Sequence, residues 1–174
     1  MTAENIPLKI FADGSWANLT NAGGYAALVQ LADNSTHVVQ GSAFPTSIER
    51  MELTAIVEGL RFLENTLRKQ LLDNRLSVAI INDREDVIRQ ISGEFDPNHN
   101  LDLWYQMQFY HERFNIIPIW MERNSHPALL QVDLLSAHCR EIIEYARPEP
   151  GHEIFSTHMT PPEPLEEDEH DPEA

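Results

Sequence analysis

Between Ile48 and Leu67, apolar or small residues recur at Ile48, Met51, Ala55, Ile56, Gly59, Leu60, Leu63 and Leu67. This is the spacing of a helix with one face against a core. Pro45-Thr46-Ser47 supplies helix-start chemistry, and the pattern runs to about Leu72. The stripe carries an anomaly. Glu52 lies three, four and seven residues before Ala55, Ile56 and Gly59, so it borders the buried face. A half-buried ionised carboxylate is costly there unless a cation compensates it. Two readings stand: an acid at the edge of an amphipathic helix, or one member of a charged site.

The rest of the chain supplies a sheet for that helix. Residues 8–13 alternate as a strand that breaks at Gly14-Ser15, and Gly23-Gly24 leads into a second strand over 25–31. Ala32-Asp33-Asn34-Ser35 reads as a hairpin-like turn into a third strand over 36–44, antiparallel to the second. Residues 76–83 form the most apolar strand candidate, a central one. Helices follow over about 84–92 and 101–114, then a short strand over 115–121 whose Pro118 marks a sheet edge. The last helix spans about 129–146, with Leu135, Cys139, Ile142, Ile143 and Ala146 as its buried stripe. The order β-β-β-α-β-α-α-β-α describes a hairpin-led mixed sheet with helices on its faces. With 174 residues the chain suits one domain, 1–146, followed by an acidic, proline-rich disordered tail, 147–174.

Charge narrows the partners. There are 28 acidic and 12 basic residues, a formal net charge of −16. From Arg147 onward nine acids stand against one base, so half of that charge lies in the tail. The sign is wrong for gripping nucleic acid through a broad basic face. A phosphate-binding function would have to work through divalent ions and a few local arginines, while the acidic tail suits a basic protein partner. No apolar run approaches a membrane span, and residues 1–7 lack the regions of a signal peptide. The one cysteine, Cys139, fits a reducing compartment, so a cytoplasmic monomer is expected.

Three further carboxylates fall where they can join Glu52. Asp13 ends the first strand and Asp83 the fourth. A strand–helix–strand crossover makes those strands parallel neighbours with both acids at one C-terminal edge, the usual ligand edge of α/β sheets. Asp133 stands near the start of the last helix, where the helix dipole tolerates an anion. Each has a plainer alternative: a turn at Asp13-Gly14, a cap at Asp83, a first helical turn at Asp133. Clustered carboxylates repel and need cations. Hard oxygen ligands with no Cys/His set suit Mg²⁺ or Mn²⁺, and two such ions serve in-line phosphodiester displacement.

These residues carry a resemblance. Phe11-Ala12-Asp13-Gly14-Ser15, Ala22-Gly23-Gly24-Tyr25-Ala26, Arg50-Met51-Glu52-Leu53, Ile81-Asn82-Asp83 and Val132-Asp133-Leu134-Leu135-Ser136-Ala137 are similar to the motifs of type 1 ribonuclease H, over most of residues 8–146. The Arg-Met-Glu-Leu piece is the most specific. The resemblance implies an α/β ribonuclease H-like fold, a five-stranded mixed sheet in the order 3-2-1-4-5 flanked by helices. It implies metal ligands at Asp13, Glu52, Asp83 and Asp133, two bound ions, and endonucleolytic hydrolysis of the RNA strand of an RNA–DNA hybrid.

The departures concern substrate. Bacterial members place two asparagines before the Arg-Met-Glu-Leu motif and a glutamine two residues after the third carboxylate; here Ile48, Glu49 and Glu85 stand there. The family's basic insertion has no counterpart, because residues 94–102 contain no Lys or Arg. Asn18 stands in for an asparagine of the family's first loop. The place of the catalytic-loop histidine falls at Arg123, a phosphate ligand or a solvated loop residue. His126-Pro127 matches a later His-Pro pair, so His126 is either a proton shuttle or an exposed loop residue. Trp16, Trp104 and Trp120 read as packing residues. Besides the hybrid nuclease, two readings remain: a nuclease for another nucleic-acid structure, and a non-catalytic binding or scaffold domain.

Overall fold

The computed structural model describes residues 6–160. Its strands are β1 (Leu8–Ala17), β2 (Ala22–Gln30), β3 (Thr36–Phe44), β4 (Leu76–Asn82), β5 (Phe114–Trp120) and β6 (Ile154–Thr160). Its helices are α1 (Ile48–Leu71), α2 (Glu85–Ile91), α3 (Leu101–Arg113) and α4 (Pro127–Ala146), with a 3₁₀ turn at Arg123–Ser125. One mixed sheet runs β5-β4-β1-β2-β3-β6. Strands β1, β2, β3 and β6 pair antiparallel, whereas β1–β4 and β4–β5 are parallel.

Side chains alternate across the central strand as the pleat requires. Ile10 and Ala12 join Ile56, Leu60 and Met107 in the core under α1 and α3. Phe11 faces the other way, into a smaller core with Ala128, Leu129 and Val132 of α4. The sheet is thereby covered on both faces. The β1–β4 register pairs Phe11 with Ile81, which brings Asp13 and Asp83 out together at the same edge. The parallel neighbours inferred from the crossover are present.

Five expectations need correction. Strand β1 does not break at Gly14-Ser15 but continues to Ala17, opposite Ala22 of β2, so Asp13 lies inside a strand. Glycine is needed at position 14 for packing: a Cβ there would lie 2.4 Å from Glu52 N and 2.7 Å from Met51 C, the backbone of α1. The sheet has six strands, not five. The sixth comes from the segment expected to be a disordered tail, where Tyr25 Oη donates to Ser156 O at 3.1 Å and Ser42 N donates to Ser156 Oγ at 3.3 Å. Residues 154–160 themselves hold no acid and no proline, and they meet a buried tyrosine tip and an open β3 edge; the acidic run beyond Thr160 lies outside the described residues.

The buried stripe of α4 is Ala128, Leu129, Val132, Ser136, Cys139 and Ile143, with Leu135 only partly covered and Ile142 and Ala146 exposed. Gly24 sets this rotation, since a Cβ on it would come within 2.1 Å of Ser136 O. Trp120 is not a core residue either: it sits half exposed at the end of edge strand β5. Trp16 and Trp104 are partly buried, the latter against the larger core.

Candidate active site

Asp13 points from β1 toward α4, where Ser136 Oγ donates to its Oδ2 at 2.6 Å. Burial pushes its carboxyl up to about 6; the Ser136 hydroxyl pulls it down and neighbouring Asp83 pushes it up again. Glu52 does not merely border the helix stripe. It is only 1% exposed, in the second turn of α1, and its carboxyl is raised well above the usual range by burial and by Asp13. The close approach allowed by Gly14 brings the two acids into one site.

Asn82 ties the acids to the sheet. Its Nδ2 donates to Ala12 O at 2.9 Å and to Glu52 Oε2 at 2.8 Å, while its Oδ1 accepts from Arg84 N at 2.7 Å. Asp83 follows directly, and Trp120 Nε1 donates to its carbonyl at 3.0 Å. Carboxylate oxygens of Asp13, Glu52 and Asp83 lie within 4.8 Å of one another. Asp83 Oδ1 is buried and has no hydrogen-bond partner among the described residues.

Asp133, in the second turn of α4, joins the group through Arg123. The Arg123 Nε donates to Asp83 Oδ2 at 2.7 Å, Nη1 pairs with Asp133 Oδ1 at 3.1 Å, and Nη2 lies 3.7 Å from Asp13 Oδ1. Arg123 is thus not a free loop residue. His126 and Asn18 stand apart. His126 caps α4, its Nδ1 accepting from Ala128 N at 3.1 Å, and its ring stacks on Phe11 with centroids 4.5 Å apart. No hydrogen bond joins it to the carboxylates among the described residues. Asn18 is exposed in the β1–β2 turn.

The donor set fits a divalent cation. It consists of hard oxygens, it is buried, its acids are held against their own repulsion, and one oxygen is left without a partner. Reading the sequence missed Gly14, Asn82, Ser136 and Trp120 as supports of these acids. Asn82 had a visible signal: an amide at the end of the most apolar strand needs buried partners.

No family model matches the chain. Ribonuclease HI of Helicobacter pylori (strain ATCC 700392 / 26695) is 27% identical over 138 residues, covering 74% of this chain and 90% of that protein. Ribonuclease H of Helicobacter acinonychis (strain Sheeba) is 30% identical over 131 residues, again covering 74% and 90%. The chain belongs to the ribonuclease H family. Solved structures agree on the ribonuclease H fold. The N-terminal RNase H domain of a Mycobacterium tuberculosis protein superposes with a TM-score of 0.65 at 22% identity, covering 81% of this chain and 99% of that one. LC11-RNase H1, solved in complex with an RNA/DNA hybrid, gives 0.67 at 16% identity over 79% and 99%. In this ribonuclease H the departing positions Glu49 and Glu85 are exposed, and Ile48 opens α1.

Proposed function

We propose that the chain hydrolyses the RNA strand of RNA–DNA hybrids, with Asp13, Glu52, Asp83 and Asp133 holding two Mg²⁺ or Mn²⁺ ions. The observation that carries this reading is the approach of the Asp13, Glu52 and Asp83 oxygens to within 4.8 Å at one sheet edge. Membership of the ribonuclease H family and the hybrid bound by LC11-RNase H1 support the substrate. When bound, divalent ions supply positive charge to the scissile phosphate and lower the pKa of the attacking water.

The chain's own groups prepare that chemistry. Ser136 and Asn82 fix the rotamers of Asp13 and Glu52, so the acids present oxygens to one point without reorganising. The neighbouring sheet and α1 exclude water from Glu52. Asn18, at the exposed β1–β2 turn, and Arg123 at the site are assigned to substrate contact. His126 is left out of the proton transfers, because its Nδ1 and one ring face are committed to capping and stacking. The protein is read as a cytoplasmic monomer; no helix among the described residues is long and apolar enough to cross a membrane.

A second reading keeps the same site and changes the substrate to another RNA or DNA structure. It is favoured by Glu49 and Glu85, exposed acids at places where bacterial relatives are expected to read the hybrid with amides. Cleavage of labelled RNA–DNA hybrid, single-stranded RNA, double-stranded RNA and DNA separates the readings. It is run with Mg²⁺, with Mn²⁺ and with chelator, beside Asp13→Asn. Metal-dependent cutting of the hybrid alone, lost in the variant, supports the first. Cutting of another substrate moves the protein to the second, and silence from folded protein leaves a binding domain.

A further inference from the structure

Arg123 makes contacts that phosphate binding alone does not explain. One guanidinium spans three carboxylates from three elements: Asp83 after β4, Asp133 on α4 and Asp13 on β1. It is 47% exposed, so it closes the mouth of the cluster from the solvent side. Its backbone lies in the 3₁₀ turn Arg123–Ser125, which is held by Ser125 N and Ser125 Oγ donating to Glu122 O at 3.0 and 2.6 Å. Those bonds secure the turn through Ser125 and Glu122 and make no use of the Arg123 side chain. Among the described residues the guanidinium hydrogen-bonds Asp83 and is ion-paired with Asp133 and Asp13.

We infer that Arg123 is a built-in counter-cation that occupies the carboxylate cluster and is displaced when divalent ions enter it. This rests on the reading of these acids as metal ligands. A carboxylate lone pair that accepts a short N–H bond is not available to a cation, and a second positive charge a few ångströms away repels the incoming one. The guanidinium therefore weakens metal binding and steadies the metal-free site. Once expelled, it remains at the rim facing solvent, where the anionic group it meets next is a phosphodiester of the substrate. Ion binding and polyanion binding then favour each other, and by linkage the assistance is reciprocal.

The test is calorimetric titration of Mg²⁺ into the full chain and into its Arg123→Ala and Arg123→Lys variants. It is accompanied by metal-free melting curves and by the Nε–H resonance of Arg123 in the unsubstituted protein. Arg123→Ala is expected to bind Mg²⁺ about fivefold tighter or more and to melt lower without metal. Lysine, which keeps the charge and loses the fork, should fall between. Millimolar Mg²⁺ should shift the Arg123 resonance. Equal or weaker Mg²⁺ binding by Arg123→Ala, with an unmoved resonance in the parent, overturns the inference and leaves the metal site standing. Absence of Mg²⁺ binding by both proteins overturns the metal reading as well.

Discussion

A Cβ placed on Gly14 would lie 2.4 Å from the backbone nitrogen of Glu52. The strand that carries Asp13 and the helix that carries Glu52 therefore meet backbone to backbone, with no room for a side chain between them. Gly14→Ala must push α1 away from β1, and overpacking of this kind costs about 3 kcal/mol. The expected result is a lower melting temperature together with a loss of nuclease activity larger than partial unfolding explains, because the two acids separate. Activity retained at a temperature where the variant is fully folded would show that the Asp13–Glu52 spacing is not critical.

Asn82 is the buried donor that both Glu52 and Ala12 depend on. In Asn82→Leu a carboxylate oxygen and a carbonyl lose their partner together, at about 1–3 kcal/mol for each stranded group. Glu52, already raised by burial, should then hold its proton more firmly. Loss of such a supporting contact typically lowers metal affinity or activity by about 10–100-fold. Metal titrations of the folded variant check this, and a normal Mg²⁺ affinity would contradict it.

The pH dependence of the metal-free protein follows from Asp13. Its folded-state value of about 6 lies above the ordinary 3.8, so between those values the folded chain binds more protons than the unfolded one. Stability from this group is complete below the ordinary value and is lost as pH rises through about 6, a change on the order of 3 kcal/mol. Melting without metal should therefore be lower at pH 8 than at pH 5, by a margin that shrinks in Asp13→Asn. Mg²⁺ should restore the difference by binding the native state. Equal pH slopes for the two proteins would refute the assignment.

Much of the site was legible because its acids sit in periodic segments. Glu52 violated the stripe of α1, and Asp13 and Asp83 followed from one parallel crossover. The supports were less legible, because Ser136 and Asn82 become informative only once α4 and β4 are placed against β1. Gly14 read as a turn, since a lone glycine signals chain reversal or close packing equally. Composition misled at residues 154–160. The acids and prolines of this region flank those residues, a short strand that pairs with an existing edge needs no long apolar run of its own, and its main tertiary partner, Tyr25, lies 131 residues away from Ser156.

That last strand makes the chain's ending testable. Residues 161–174 carry seven acids and no base. A chain ending at Thr160 keeps β6, so it should melt like the full protein and bind hybrid more tightly at low salt, with the gain disappearing as salt screens the lost charge. A chain ending at Ala146 loses the strand that covers β3. It removes the Ser156 partner of the Tyr25 hydroxyl and the Phe155 ring stacked on Tyr25 with centroids 6.0 Å apart, and so opens a buried tyrosine to solvent. The lost hydrogen bonds, the lost aromatic contact and the newly exposed ring together should cost about 2–4 kcal/mol, visible as a melting temperature lower by about 5–15 °C for a chain of this size. The freed β3 edge should also promote self-association. Indistinguishable melting of the two truncations would show that β6 contributes no stability, and the folded unit would then end at α4.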